Sequence, residues 1–225
     1  MRALLLANAA DADPGVVGEH LRARGYEFTV GRRERPGEWA GLDGIELVLS
    51  LGSDWSVYWD HVRDSVRAEA DLLRRAHEQG VPTLGICFGG QMLAHALGGT
   101  VERAPEPEVG WFDVTSDVPA LAGRGPWFQW HLDRFTPPDA TSLAASPRAE
   151  QAFRLGRTLG LQFHPEVDAE IVGRWVEGGA AELGRLGLDG DALVTQMRAE
   201  SERTQIDAGT LVAWFCEECV GADLA

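Results

Sequence analysis

The segment that decides the fold reads Gly85-Ile86-Cys87-Phe88-Gly89-Gly90-Gln91. It follows an apolar stretch at residues 81–86, which predicts a buried strand, and it opens a helical pattern at residues 91–97. The glycines around Cys87 permit a tight turn and leave room for a substrate to approach the thiol. A cysteine on such a turn lies at the carboxyl edge of a sheet, where the helix N-terminus favours the thiolate. The segment therefore predicts a strand–turn–helix unit that presents a nucleophile.

Apolar and amphipathic segments alternate on the N-terminal side of this unit. They predict strands at residues 2–7, 26–30 and 45–51, helices at 14–24 and 60–79, and a charged loop at 32–44. Asp13 is the expected N-cap of the first helix, and Gly25 is expected to end it. The third strand is nearly all apolar, which is typical of a parallel strand buried on both faces. The alternation predicts an α/β fold with a doubly wound, mostly parallel sheet.

The pattern changes after Gly99. Residues 100–160 are rich in Pro and Gly, and their short strand-like pieces predict a small mixed or antiparallel extension. These pieces lie at residues 111–115, 126–130, 151–155 and 158–163. Later residues predict helices at 169–183, 191–203 and 208–220, the first two capped by Asp168 and Asp189. We expect a single domain over residues 1–225, with a catalytic core at 1–167 and a C-terminal helical extension at 168–225.

Composition narrows the range of partners. The formal net charge of −15 repels phosphate backbones, so nucleic acid is not an expected partner. The chain has no lysine and hence no P-loop lysine. No stretch approaches the roughly 18 apolar residues of a membrane span.

The odd number of cysteines predicts a reducing, cytoplasmic location without a disulfide framework. The Cys216–Cys219 pair is interpreted as ordinary helix packing. We expect neither a metal nor a cofactor.

A second segment that carries chemistry reads Gln162-Phe163-His164-Pro165-Glu166. It ends the last predicted strand, and because Pro165 stops that strand, His164 is expected at the rim of the sheet. Glu166, two residues later, is placed to hold the imidazole in one tautomer. A nucleophile, its base and a carboxylate that orients the base are therefore predicted to meet at one sheet edge.

Together these two segments resemble the class I, or triad, glutamine amidotransferases, and in particular free-standing members related to the glutaminase domain of GMP synthetase. The resemblance runs from about residue 47 to residue 167, and it implies the flavodoxin-like fold of that family. It implies that Cys87 attacks the side-chain amide of glutamine through a thioester, that His164 protonates the departing ammonia and then activates water, and that Glu166 orients His164.

The resemblance also implies roles for residues around this triad. The backbone amides of Gly52 and Phe88 correspond to the family's oxyanion hole. Four further positions correspond to substrate-binding residues: Gln91, Trp130, His131 and Asp133. Asp54 and Leu132 depart from the pattern, because many members carry glycine at these two positions.

The implied function is hydrolysis of glutamine, with the ammonia passed to an unidentified acceptor or to a synthetase partner in trans. No Ser-Gly-Gly-x-Asp-Ser motif of a synthetase is present. Two alternatives stay open. A pocket reshaped by Asp54 and Leu132 would suit a γ-glutamyl hydrolase that acts on γ-glutamyl amines or peptides. A non-catalytic regulatory or binding subunit would instead use the acidic surface and the aromatic segment at residues 54–60 as an interface.

Overall fold

The structure is a computed structural model that describes residues 1–221. The strands are β1 (Arg2–Ala7), β2 (Glu27–Arg32), β3 (Leu47–Ser50), β4 (Thr83–Ile86), β5 (Thr100–Phe112), β6 (Thr115–Ser116), β7 (Trp127–Thr136), β8 (Thr141–Ala145), β9 (Glu150–Leu155) and β10 (Thr158–Leu161). The α-helices are α1 (Gly15–Ala23), α2 (Arg63–Glu78), α3 (Phe88–Ala96), α4 (Pro119–Ala122), α5 (Ala169–Gly178), α6 (Ala180–Leu186) and α7 (Gly190–Phe215).

The main sheet has eight strands in the order β2-β1-β3-β4-β10-β9-β8-β6. The first five of these strands are parallel, and their order is the 2-1-3-4-5 arrangement of flavodoxin-like folds. The remaining three strands continue the sheet in antiparallel pairs, while β5 and β7 form a separate antiparallel ribbon. The predicted doubly wound sheet with a small antiparallel extension is therefore confirmed.

Both faces of the parallel sheet are buried. On β1, Leu5 packs into one hydrophobic cluster with residues of α1 and α7, while Leu4 and Leu6 pack into the other cluster with residues of α2 and α3. This two-sided burial explains why the strand segments are continuously apolar rather than alternating. Helix α7 shares the core of the parallel strands, although it lies in the segment that was expected to be an extension.

Several predicted boundaries were wrong. The predicted helix at 169–183 is two helices, which meet at Gly178 and Gly179. The predicted helices at 191–203 and 208–220 are instead the continuous α7, followed by a π-helical turn at Cys216–Val220. The polar residues that seemed to separate those two helices include Asp207. This residue is buried, and its carboxylate accepts hydrogen bonds from Arg124 and Arg203, which compensate for the loss of water.

Three other elements also differ from the sequence-based expectation. The N-cap of α1 is Pro14, and Asp13 accepts a hydrogen bond from the Gly15 amide at 3.0 Å instead. Helix α3 begins at Phe88, directly after Cys87 and three residues earlier than expected. Strand β8 carried no recognised signal, since its sequence Thr-Ser-Leu-Ala-Ala has only weak strand character.

Close packing behind the cysteine turn depends on glycine. A Cβ atom on Gly89 would lie 2.0 Å from the carbonyl oxygen of Ser50, and one on Gly90 would lie 2.2 Å from the carbonyl oxygen of Leu161. Both neighbours are backbone atoms of sheet strands or their ends, so they have little freedom to move aside. The two glycines therefore let α3 start directly against β3 and β10.

Two glycines in helices provide a matched test of this packing. Gly89→Ala is expected to lower the free energy of unfolding by about 1–3 kcal/mol or more, because the added methyl group overlaps the Ser50 carbonyl. Gly173→Ala in α5, where a Cβ would meet no atom within 4 Å, is expected to raise it by up to about 1 kcal/mol. Urea unfolding monitored by circular dichroism measures both values. Equal stability of the two variants would contradict the packing argument.

Candidate active site

Cys87 occupies a strained turn between β4 and α3. Its backbone has φ +52° and ψ −108°, and it is the one non-glycine residue with positive φ in the part of the chain that the structure describes. Such a conformation costs about 1–3 kcal/mol and persists only where the surroundings impose it. The Cys87 amide donates to the carbonyl of Leu161 at 2.9 Å. The side chain is buried, with Sγ 3.8 Å from the carbonyl oxygen of Trp130 and 3.8 Å from Nε2 of Gln162.

His164 follows β10 at the same sheet edge. Its Nδ1 donates to Oε1 of Glu166 at 2.7 Å, and its backbone amide donates to the carbonyl of Phe128 at 2.9 Å. The other ring nitrogen, Nε2, is buried and has no hydrogen-bond partner among residues 1–221. Trp175 of α5 packs edge-on against the imidazole, with 4.8 Å between the ring centroids. When the ring is neutral, the carboxylate thus fixes the tautomer in which Nε2 carries no proton and can accept one.

Gly52, after β3, lies where the cysteine and the histidine come together. A Cβ atom at this position would lie 3.3 Å from Cε1 of His164 and 3.8 Å from Cβ of Cys87. The ends of β3, β4 and β10 therefore bring Gly52, Cys87 and His164 into one place, while their roles as oxyanion-hole segment, nucleophile and base stay predictions. A methyl group at this position would press against the imidazole ring and touch the cysteine side chain.

The charge state of His164 depends on its neighbours. Burial disfavours the imidazolium, yet the Glu166 carboxylate and the Cys87 sulfur outweigh that effect and raise the pKa of His164 well above its usual 6.5. A histidine whose pKa is raised in this way, and which lies beside a thiol, is suited to take up and donate a proton.

The amides of Gly52 and Phe88 are available as donors. Neither amide donates a hydrogen bond to any acceptor within residues 1–221. Phe88 is the first residue of α3, where backbone amides have no partner inside the helix and carry the positive end of its dipole.

The four predicted substrate-binding residues are placed differently from one another. Trp130 lines the cleft next to His164. Gln91 is buried, and its Nε2 donates to the carbonyl of Asp133 at 3.1 Å. Asp133 accepts hydrogen bonds from the hydroxyl groups of Ser56 and Tyr58, so it holds the aromatic segment 54–60 against β7.

His131 is not among the residues that line the cleft. Its Nδ1 donates to the carbonyl of Asp133 at 2.9 Å, and its Nε2 lies 3.0 Å from Oε2 of the fully buried Glu108. Gln151 donates to the same Glu108 oxygen at 2.8 Å. This buried network ties β5, β7 and β9 together. The proposed contact of His131 with substrate stays a prediction.

A cleft lined by Gly52, Trp130 and His164 has a volume of about 360 Å³, within the roughly 300–1,000 Å³ typical of small-molecule sites. The buried Cys87 is not among its lining residues. Trp130 and Trp175 form its aromatic wall, with 6.0 Å between the ring centroids. Asp11 lies at the wall and accepts a hydrogen bond from Nε1 of Trp175 at 2.6 Å. Desolvation raises the pKa of Asp11. A larger hollow of about 580 Å³ beside Trp39 contains none of the predicted site residues.

Sequence reasoning missed Trp175 and Asp11, which border the cleft. Trp175 lies in a helix that was interpreted as an extension, so nothing in the local pattern connected it to the site. Asp11 belongs to the loop after β1, and that loop lies at the carboxyl edge of the sheet. The position of this loop was the available signal, because ligands of doubly wound sheets bind at that edge.

Three further observations concern the described part of the chain as a whole. No helix there is long and apolar enough to cross a membrane. Residues 1–221 contain no group of three or more His, Cys, Asp or Glu side chains arranged to hold a metal ion. All three cysteines are free, and Cys219 is packed in the hydrophobic core.

Comparisons with known proteins agree with this architecture. Residues 59–174 match the family model described as glutamine amidotransferase class-I. A glutamine amidotransferase from Thermotoga maritima has a solved structure with 30% sequence identity and a TM-score of 0.85, covering 96% of this chain and 98% of that one. A glutamine amidotransferase from Methylobacillus flagellatus has 25% identity and a TM-score of 0.82, covering 96% and 94% of the two chains.

A curated relative is the GMP synthase [glutamine-hydrolyzing] of Albidiferax ferrireducens. It is 38% identical over a match of 163 residues, and the match covers 64% of this chain and 28% of the relative. The match therefore spans just over a quarter of that longer protein.

The pairing of His164 with Glu166 generates a prediction about titration. Glu166→Gln is expected to lower the pKa of His164, because burial of the ring remains while the carboxylate charge is lost. In the wild type, the raised pKa means that the bound proton stabilises the fold. This contribution is fully present below the unfolded pKa of about 6.5, is lost as the pH rises through the folded pKa, and shrinks in the variant.

An NMR titration of the imidazole Cε1–H signal measures this pKa, and urea unfolding across the same pH range measures the stability. Glu170→Gln is the matched control, because its carboxylate is exposed on α5. It is expected to leave the titration unchanged. An unchanged pKa of His164 in Glu166→Gln would contradict the assigned cause.

Proposed function

The chain belongs to the class-I glutamine amidotransferase family, and on that premise we propose that it hydrolyses the side-chain amide of glutamine through a thioester on Cys87. The ammonia is released for an acceptor or a partner synthetase. One observation carries the proposal: Cys87 and His164 both border Gly52, and His164 is oriented by Glu166 at 2.7 Å. These are the nucleophile, base and orienting acid that amide hydrolysis needs.

The reaction proceeds in two halves. The Cys87 thiolate attacks the amide carbon, and the carbonyl oxygen becomes an oxyanion that accepts hydrogen bonds from the Gly52 and Phe88 amides. The tetrahedral intermediate collapses as His164 donates a proton to the nitrogen, so ammonia leaves and the thioester remains. Water, deprotonated by His164, then attacks the thioester, and collapse of this second intermediate releases glutamate and restores the thiolate.

The unpaired amides support the oxyanion step. A donor of this kind contributes about 3 kcal/mol in comparable sites, because it is aimed at the developing charge before the reaction begins. The Phe88 amide adds the helix dipole of α3. Phe88 directly follows Cys87, so the strained turn that positions the sulfur also positions this amide.

Four residues are proposed to handle the α-amino and carboxylate end of the substrate: Gln91, Trp130, His131 and Asp133. Trp130 lines the cleft directly. Gln91 and His131 both donate to the carbonyl of Asp133, so they fix the backbone of β7 beside the thiol. This supports a contribution to substrate binding through the shape of that strand.

The proposed partner is a synthetase that acts in trans. Curated relatives carry the name GMP synthase [glutamine-hydrolyzing], and the match covers only 28% of one such relative. The rest of that relative has no counterpart in this chain. We place the reaction in the cytoplasm, where free cysteines persist. Neither nucleic acid nor a membrane takes part in the proposed reaction.

Substitution of the nucleophile tests the proposal directly. Cys87→Ala is expected to abolish ammonia release from glutamine while leaving the melting temperature within a few degrees of the wild type. Cys216→Ala is the matched control, because Cys216 lies in the C-terminal π-helical turn, and it is expected to retain full activity. A coupled glutamate dehydrogenase assay measures the ammonia. Appreciable turnover by Cys87→Ala would refute the proposal, and a silent wild type would favour the regulatory-subunit alternative.

A second candidate function is hydrolysis of γ-glutamyl amines or peptides. The observation that favours it is the aromatic wall, because Trp175 packs against His164, the group that protonates the leaving nitrogen. Ammonia makes no use of two tryptophans, whereas an amine with a carbon skeleton buries apolar surface against them. The chemistry of the three reacting side chains is the same in both candidates.

Competing substrates separate the two candidates. If glutamine is the substrate, kcat/KM for glutamine is expected to exceed that for γ-glutamyl anilide by tenfold or more, which corresponds to about 1.4 kcal/mol of transition-state binding. The opposite order would establish the γ-glutamyl hydrolase. Purified protein assayed for ammonia and for aniline under the same conditions supplies both constants.

A further inference from the structure

Arg33 is a fully buried arginine directly after β2. Its segment was interpreted as a charged loop, yet the guanidinium lies under the carboxyl edge of the sheet. Nη2 donates to the carbonyl of Leu51 at 2.8 Å, and Nη1 donates to the carbonyl of Gly52 at 2.9 Å. One side chain therefore binds two consecutive peptide units after β3.

The remaining donors of Arg33 are also used. Nε and Nη2 bind the two carboxylate oxygens of Glu69 at 2.8 and 3.1 Å, Nη2 also donates to Oγ of Ser50, and Nη1 donates to Oδ1 of Asn8. Glu69 is 1% exposed and neutralises the buried charge. The guanidinium is thus fixed in position by groups from β3, α2 and the end of β1.

These bonds determine where the Gly52 amide points. The peptide bond between Leu51 and Gly52 is trans, as are the other peptide bonds of the described chain, so its C=O and N–H point in opposite directions. The Leu51 oxygen is held by Arg33 on one side of the strand end and also accepts from the Gly89 amide at 3.1 Å. With the carbonyl held in this way, the Gly52 N–H is directed away from Arg33.

Arg33 also touches the other proposed oxyanion donor. Its Cζ lies 4.8 Å from the centroid of the Phe88 ring, the geometry of a cation–π contact. The same guanidinium therefore supports both residues whose amides are proposed to bind the oxyanion. Arg33 is 0% exposed and its guanidinium is bonded to protein acceptors, so it acts through the loop after β3 and not on the substrate.

We propose that Arg33 is a positioning residue, which holds the Leu51–Gly52 peptide so that the Gly52 amide is aimed at the oxyanion that forms when Cys87 adds to a carbonyl group. This inference rests on the proposed function for the identity of the reacting cysteine and of the oxyanion donors. It predicts that loss of the arginine weakens the steps that pass through a tetrahedral oxyanion and leaves the nucleophilicity of the thiolate intact. A purely structural ion pair would not separate these two properties.

Two reactions of the same sulfur make the separation measurable. In acylation by 4-nitrophenyl acetate, the Cys87 thiolate adds to the carbonyl carbon, an oxyanion forms, and its collapse expels 4-nitrophenolate to leave acetyl-Cys87. In alkylation by iodoacetamide, the thiolate displaces iodide at a saturated carbon, and no oxyanion forms. Rates of both modifications are measured at Cys87 by peptide mass spectrometry, and their ratio is the readout.

Arg33→Lys is expected to lower the ratio of acylation to alkylation at least tenfold, because an ammonium group cannot bind Leu51, Gly52 and Glu69 together. The alkylation rate itself is expected to stay within threefold of the wild type. Complete loss of one oxyanion donor costs about 10²–10³-fold in comparable enzymes, which sets the upper range. With glutamine as substrate, kcat is expected to fall and KM to change less than threefold.

A second variant keeps the test valid if Arg33→Lys fails to fold. Arg33→Met combined with Glu69→Leu removes both buried charges together, and such replacements are often neutral or stabilising. The ratio is expected to fall at least tenfold here too. Phe153→Leu is the stability control: Phe153 is fully buried next to Phe135 and away from the cleft, so the variant loses stability but is expected to keep the wild-type ratio.

A ratio within twofold of the wild type in the double variant, or a parallel fall of both rates in it, overturns the proposal. The ratio needs no turnover of glutamine. If the wild type hydrolyses neither glutamine nor γ-glutamyl anilide, the proposed function fails, while the ratio in the variants still decides the role of Arg33.

Discussion

Parallel pairing of β3, β4 and β10 is the constraint on which the candidate site depends. In this register Ser50 lies beside Gly85, and Ile86 lies beside Leu161. All three strands therefore end at the same level, and the residues that follow them meet although they are far apart along the chain. The amide of Cys87 bonds directly to the Leu161 carbonyl, so the strained turn is itself part of the ladder. Glycines at positions 89 and 90 then let the helix approach closely enough to present its first amide.

Buried polar groups fix this edge more tightly than apolar packing alone. The His164–Glu166 pair and the Arg33–Glu69 pair are both almost fully buried, and each is bonded to backbone of a neighbouring element. Charges in such places are costly unless they are paired and hydrogen-bonded. Their presence means that the loops after β2, β3 and β10 have few alternative arrangements.

The sheet and its winding could be predicted from the sequence, because short local patterns encode them, and similar patterns marked Cys87, His164 and Glu166 as candidates. Continuous apolar runs indicate buried parallel strands, and the glycines around Cys87 mark a tight turn. The residues that the sequence did not reveal are those whose partners come from elsewhere in the chain. Arg33 stands in an ordinary charged segment, and only the fold brings Glu69 and Leu51 to it. Likewise, the polar residues before Asp207 seemed to end a helix, yet α7 continues through them. Arg124, from another loop, binds the Asp207 carboxylate.

The wall of the cleft and its floor come from separate parts of the chain. Arg174, Gly178 and Gly179 border the opening from α5 and its end, while Cys87 and His164 follow strands of the sheet. Substitutions on α5 would alter which molecules can enter the cleft, while Cys87, His164 and their hydrogen-bond partners would stay the same. The width of the opening and the arrangement of the groups at the strand ends are therefore set by separate segments, and each can vary without the other.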